Sequence, residues 1–109
     1  MDLSASAERL NGFTMPVFSR EYLRASGAAI FAATGAPSQS ATVVADLLAD
    51  ANAVGHDSHG VIRIPQYITT IEKGEIDPRA TVAVERETAV SAVFDGRWGF
   101  GQVVANHAI

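Results

Sequence analysis

Pro78 divides this chain into two hydrophobic periods, and that change constrains the fold more than any other feature. Upstream, Val43, Val44, Leu47, Leu48 and Ala51 recur at helical spacing, with Val54 closing the stripe. The spacing predicts an amphipathic helix from Ser38 to Val54, stopped by Gly55, with Asp46 and Asp50 on its other side. Downstream, residues 81–86 (TVAVER) and 90–95 (VSAVFD) alternate as strands do, with Glu87-Thr88 as the turn. A switch from a period near 3.6 to a period of 2 specifies an α/β fold. In this segment it is α+β: helices first, then a short strand pair, then the opening of a further helix across 99–109.

Two more helices precede Pro78. Ser19 is a good N-cap, Glu21 in the first turn suits the helix dipole, and Phe18 and Leu23 are spaced for a hydrophobic staple. Tyr22, Leu23, Ile30 and Phe31 define its expected buried side, and Gly35 followed by Pro37 stops it. A third helix is expected from about Ser58 to just before Gly74, with Pro65 inside it as a kink or a break into two pieces. Residues 1–16 carry no firm period and read as a mobile leader, leaving 17–109 as the structured part. Two short strands form a marginal unit alone, and the last helix has no stop signal before Ile109. The expectation is therefore the first part of a longer protein.

Composition removes several function classes. The 109 residues carry eight Lys and Arg against twelve Asp and Glu, a net charge of −4, and no basic run. A nucleic-acid surface, which needs clustered cations, is not expected. Cysteine is absent, so there is no disulfide framework or thiolate metal site, in keeping with a cytoplasmic protein. No secretory signal is visible, and no apolar run approaches the ~18 residues of a membrane span.

The chemistry is concentrated in Gly55-His56-Asp57-Ser58-His59-Gly60-Val61-Ile62-Arg63-Ile64-Pro65-Gln66-Tyr67. On a continuous helix, His59, Arg63 and Tyr67 would share one face, each about 40° and roughly 6 Å from the next. Arg can grip a carboxylate through parallel N–H bonds, His can move a proton near neutral pH, and Tyr can bond a neighbouring oxygen. Such a stripe suits a small organic acid. The blander reading makes Ser58 an N-cap and His59 a solvated surface residue; the in-phase Arg63 and Tyr67, with glycine on both sides, favour function. Gly60 beside His59 is expected to let a ligand approach the backbone.

Other signals carry less. His56 and His59 could share a face as metal ligands with Asp57 beside them, but nothing else nearby supplies a further ligand at regular spacing, so no metal site is expected; Asp57 is expected to orient a histidine or cap a helix. Ser58 lacks the strand-turn-helix setting of a nucleophile elbow. Gly99-Phe100-Gly101 follows a strand and opens a helix, but Val104 stands where a third glycine belongs, so a tight turn with a close helix contact is expected rather than a phosphate cradle. Trp98 and Phe100 read as core or interface anchors.

The order of features, GHDSHGVIRIPQY and then DGRWGFGQ, resembles the N-terminal segment of the malate/L-lactate dehydrogenase family of the second type, over about residues 17–109. The resemblance implies a non-Rossmann α/β enzyme that uses NAD or NADP to interconvert small 2-hydroxy and 2-oxo acids. It implies that Arg63 holds the substrate carboxylate and that Ser58 and Tyr67 bond substrate oxygens. By the same resemblance, His59 faces substrate and nicotinamide as a catalytic and cofactor-contacting residue. It also implies a homodimer, a cofactor domain beyond Ile109, and a principal acid/base histidine there. Two rivals remain at this level: a non-catalytic helical interaction module, and the remnant of a truncated gene.

Overall fold

In the computed structural model, residues 6–10 and 13–109 are described, with backbone alone for 6–10 and 13–16. Strands β1 (Ser6–Leu10) and β2 (Phe13–Val17) pair antiparallel, Ser6 opposite Val17 and Leu10 opposite Phe13. The sequence, read as an unpatterned leader over 1–16, gave no sign of this ribbon; residues 1–5 and 11–12 of that leader lie outside the described residues.

Ser19 starts helix α1 (Arg20–Ala33) as expected: its extended backbone turns the hydroxyl to accept the Tyr22 N–H at 3.0 Å. Phe18, expected to staple onto Leu23, stacks on the Tyr22 ring with centroids 5.1 Å apart. Helix α2 (Ser38–Ala53) packs along α1. The seam follows small residues: Ala41, Ala45 and Ala49 are buried beside Val44 and Leu48, and a Cβ at buried Gly27 would lie 3.3 Å from Ala45 Cβ. Small side chains let two backbones approach closely, so the contact line runs down the alanines. This rotates Ile30, Leu47 and Val54, all expected inside, to exposed positions. Arg20 ties the outer side of the pair, donating from Nε to Asp50 Oδ1 and from Nη2 to Asp46 Oδ1, each at 2.7 Å.

Helix α2 stops where the sequence stops it. Gly55 takes the left-handed conformation (φ 83°), its N–H reaches Asn52 O, and the His56 N–H reaches Ala51 O at 2.8 Å. Glycine carries no steric penalty there, and the two bonds satisfy carbonyls the helix leaves open.

The expected third helix is shorter than its pattern. Asp57–His59 and Val61–Arg63 each form a 3-10 turn, and α3 spans only Ile64–Glu72. The break into pieces was expected, but it falls at Gly60. Pro65 sits in the first turn of α3, where its missing N–H leaves no helical bond unmade.

Beyond Pro78, strands β3 (Ala83–Glu87) and β4 (Ala92–Asp95) pair antiparallel, with a bulge between Val84 and Arg86. The turn falls at Thr88–Ser91, where Thr88 Oγ1 accepts the Ser91 N–H at 3.1 Å. A backbone bond from Asp77 N–H to Trp98 O, 2.8 Å, closes the segment at its root. Arg97 and Trp98 both have positive φ (53° and 63°), and the Arg97 N–H is held by Asp95 Oδ1 at 2.9 Å. Trp98 is 82% exposed, whereas Phe100 is 2% exposed: of these two expected anchors, only Phe100 joins the core. Helix α4 (Gly101–Ala108) follows, as its pattern predicts.

The core gathers Phe31, Ala36, Ala41, Val44, Leu48 and Phe100, with Ile64, Tyr67, Ile68 and Val103 packed against it. Among the described residues, no helix is long and apolar enough to cross a membrane.

Candidate active site

The 3-10 turns after α2 owe their shape to Asn52, a residue the sequence reading passed over. From the last turn of α2, its Oδ1 accepts the Val61 N–H at 2.8 Å and its Nδ2 donates to Asp57 Oδ1 at 2.9 Å. One amide thus fixes both turns. Gly60 is the buried residue beneath it: a Cβ there would lie 2.6 Å from Asn52 Nδ2 and closer still to Oδ1 and Cγ. With φ at −94°, the backbone makes no special demand at Gly60; the demand is for space. Gly60 therefore makes room for Asn52, not for an approaching ligand as the sequence suggested. Asp57, expected to orient a histidine or cap a helix, is tied back to α2.

The broken helix still brings His59, Arg63 and Tyr67 together. They line one open cleft of about 510 Å³ with Gln66, Gln102 and the α2 residues Leu47, Leu48 and Ala51. Ser58 stands beside it, its hydroxyl 2.9 Å from His59 Nδ1, and the His56 ring lies 4.1 Å from that of His59. The His59 ring is thus held at one nitrogen and packed against a second imidazole.

Arg63 is fixed by neutral acceptors. Its Nε donates to Ser58 O at 2.7 Å and its Nη1 to Gln66 Oε1 at 2.9 Å. No carboxylate among the described residues pairs with it, and among those residues Nη2 has no hydrogen-bond acceptor. Tyr67 is clamped from below: its ring centroid lies 6.1 Å from that of Phe31 and 6.5 Å from that of Phe100, and those two meet edge-on at 5.4 Å. Its hydroxyl accepts from Gln102 Nε2 at 2.9 Å. The cleft therefore offers a cation, an imidazole and a phenol against an apolar α2 wall.

Gly99-Phe100-Gly101 behaves as a turn. The Gly99 N–H closes onto Gly96 O at 3.0 Å, a Cβ on Gly99 would meet Ala80 Cβ at 3.2 Å, and Phe100 is in the core. Among the described residues no group of three His, Asp or Glu side chains converges on a point. Asn52, Gln66 and Gln102 are the site residues that sequence reasoning missed. Two of them lay in stretches already singled out, Gln66 in GHDSHGVIRIPQY and Gln102 closing DGRWGFGQ, whereas Asn52 carried no signal.

The family profile described as malate/L-lactate dehydrogenase matches residues 18–109, and the chain belongs to that family. Relatives include the L-sulfolactate dehydrogenase of Methanocaldococcus jannaschii, 41% identical over 75 residues, 69% of this chain and 22% of that protein. Hydroxycarboxylate dehydrogenase B of Escherichia coli is 37% identical over 81 residues, 74% of this chain and 22% of that protein. Among solved structures, the Methanocaldococcus jannaschii sulfolactate dehydrogenase superposes with a TM-score of 0.79 at 36% identity, over 83% of this chain and 26% of that one. The malate dehydrogenase of Pyrococcus horikoshii gives 0.76 at 33% identity, over 81% of this chain and 25% of that one. The chain thus spans about a fifth to a quarter of the length of the relatives it matches.

Proposed function

We propose that residues 17–109 supply the carboxylate-binding side of the active site in an NAD(P)-dependent 2-hydroxyacid dehydrogenase. Its substrate is a small malate- or lactate-like 2-hydroxy or 2-oxo acid. The observation that carries this reading is Arg63, held by two neutral acceptors on a cleft it shares with His59 and Tyr67. A guanidinium braced without a carboxylate keeps its charge for an anionic ligand, and bracing lowers the entropy lost on binding. The relatives' names point the same way, since sulfolactate and malate are small hydroxy acids.

Arg63 then holds the substrate carboxylate through Nη2. The phenol of Tyr67 and the hydroxyl of Ser58 bond substrate oxygens, and His59, held at Nδ1 by Ser58, holds or moves a proton at its other nitrogen. The cleft suits a small acid beside a nicotinamide ring, and His59 is the residue that would touch that ring. The Gly99-Phe100-Gly101 turn does not offer a cradle for a dinucleotide pyrophosphate, because Phe100 and Gly99 are used in packing. When bound, the nicotinamide would supply the hydride acceptor for a 2-hydroxy acid or the hydride donor for a 2-oxo acid. The phosphate-binding parts and a principal acid/base come from outside these residues, in a longer cytoplasmic, homodimeric protein.

The test is substitution of Arg63 in that longer enzyme. Two charge-assisted bonds at about 1.5–3 kcal/mol each place the loss in kcat/KM for the 2-oxo acid at roughly 10²-fold or more in Arg63→Ala. Arg63→Lys should not restore it, because a point charge cannot reproduce the planar fork. Unchanged kinetics in Arg63→Ala would sink the reading. The exposed Trp98 indole favours a second reading, a non-catalytic interaction module, and this predicts partner binding that survives alanine at His59, Arg63 and Tyr67.

A further inference from the structure

A phenol can donate one hydrogen bond and accept others, and which it does for a ligand depends on what its protein neighbours take. Tyr67 has one such neighbour, Gln102, in the first turn of α4. The two residues are 35 apart in sequence, and two packing contacts bring them together. Phe100 is buried against Phe31 and Tyr67, which pins the start of α4 to the aromatic cluster. Gly99 folds onto Gly96 and Ala80, which sets the direction in which the helix leaves. Gln102 then meets the Tyr67 oxygen at 2.9 Å as a donor, at the edge of the cleft that both residues line.

We infer that Gln102 is a positioning residue that occupies the acceptor side of the Tyr67 hydroxyl and so reserves its proton for a substrate oxygen. With the Gln102 amide N–H on the phenol oxygen, the O–H turns into the cleft as a donor. This is the role required opposite the carbonyl oxygen of a 2-oxo acid, which can only accept. A side chain at position 102 that only accepts would claim the same proton and turn Tyr67 into a second acceptor facing the ligand, a pairing that repels. Charge on the phenol oxygen is also shared along the Gln102–Tyr67 pair, so the two bonds strengthen one another. The inference rests on the reading of Tyr67 as a substrate-facing residue.

The experiment uses the complete, cofactor-loaded enzyme and the Raman Fermi doublet of tyrosine, whose intensity ratio reports whether a phenol accepts or donates; subtracting the spectrum of Tyr67→Phe isolates the Tyr67 doublet. That doublet should show an acceptor phenol. Q102L should move it toward a solvated phenol, and Q102E should move it to a donor. Oxamate, an isostere of a small 2-oxo acid, should shift the parent doublet toward a phenol that both accepts and donates; Q102E and Arg63→Lys should lose that shift. An unchanged doublet in both Gln102 variants overturns the positioning role. A doublet that answers to Gln102 but not to oxamate overturns the substrate reading on which the role rests.

Discussion

Gly60→Ala tests how the loop that carries His59 and Arg63 is held. The new Cβ would sit 2.6 Å from Asn52 Nδ2, and closer to the rest of that amide, so Asn52 must swing away. Its departure breaks the bond to the Val61 N–H and the bond to Asp57 Oδ1. Each is worth about 0.5–1.5 kcal/mol net, and leaving the half-buried Val61 N–H unpaired adds about 1–3 kcal/mol. The expected loss is roughly 2–6 kcal/mol, read from urea unfolding followed by far-ultraviolet circular dichroism. Asn52→Ala removes the same two bonds without a clash and should cost about as much. The double variant is the sharper measurement. Once the amide is gone, the alanine at 60 has room, so the two costs should not add; the shortfall should be about as large as one single-variant loss, at least ~2 kcal/mol, as coupling between residues in contact allows. Additive losses, or a Gly60→Ala protein within ~0.5 kcal/mol of its parent, would refute the argument that position 60 is glycine to seat Asn52.

Four further outcomes are expected. Phe31→Ala should cost roughly 3–5 kcal/mol in urea unfolding, because it empties the centre of the aromatic cluster; a loss below 1 kcal/mol would place the core elsewhere. Gln66→Glu puts a carboxylate on Arg63 Nη1, so KM for 2-oxo acids in the complete enzyme should rise at least ~10-fold, and an unchanged KM would argue that Arg63 meets no substrate anion. Hydrogen bonding from Arg24 holds the Glu21 carboxyl below its ordinary value; that pair contributes stability above the unfolded pKa and loses it as pH falls through the folded one. Arg24→Gln should therefore raise the Glu21 midpoint in an NMR titration and weaken the acid dependence slightly, while an unmoved midpoint would mean the pair does not persist in solution. Finally, the 109 residues alone should not oxidise NADH or NADPH with any of a panel of 2-oxo acids, and measurable turnover would contradict the assignment of the phosphate-binding parts to other residues.

What the sequence disclosed was mostly local. Ser19 caps α1 and Gly55 ends α2 because capping and left-handed turns are decided by neighbours a few residues away. The strand pair and the last helix were legible from period alone, although the hairpin turn lies slightly downstream of the expected dipeptide, because Thr88 and Ser91 bond each other across it. Burial was less legible. A period weighted by hydrophobicity points at Leu47 and Val54, but the partner helix offers a glycine, and alanines reach a glycine more closely than leucines do. The same limit applies to the cleft. Its residue types could be named from the motif. The reason they converge could not, because the i, i+4 argument assumed a continuous helix that Gly60 interrupts. Convergence comes from Asn52, which reaches nine residues ahead, and Gln102, which reaches 35 residues back, and neither contact has a periodic signature.

The bond from Asp77 N–H to Trp98 O makes everything between those residues a detour from the site's point of view. The chain leaves the helical body and returns at nearly the same place, so the ribbon of β3 and β4 can lengthen at its tip, around Thr88–Ser91, without displacing Gln102. Its root has no such freedom. A Cβ at Gly96 would press to 2.7 Å from Val104 on α4, and one at Gly99 would press on Ala80. Insertions should therefore be tolerated at the far end of this arm, while a single methyl group at its base shifts the helix that presents Gln102 to the phenol.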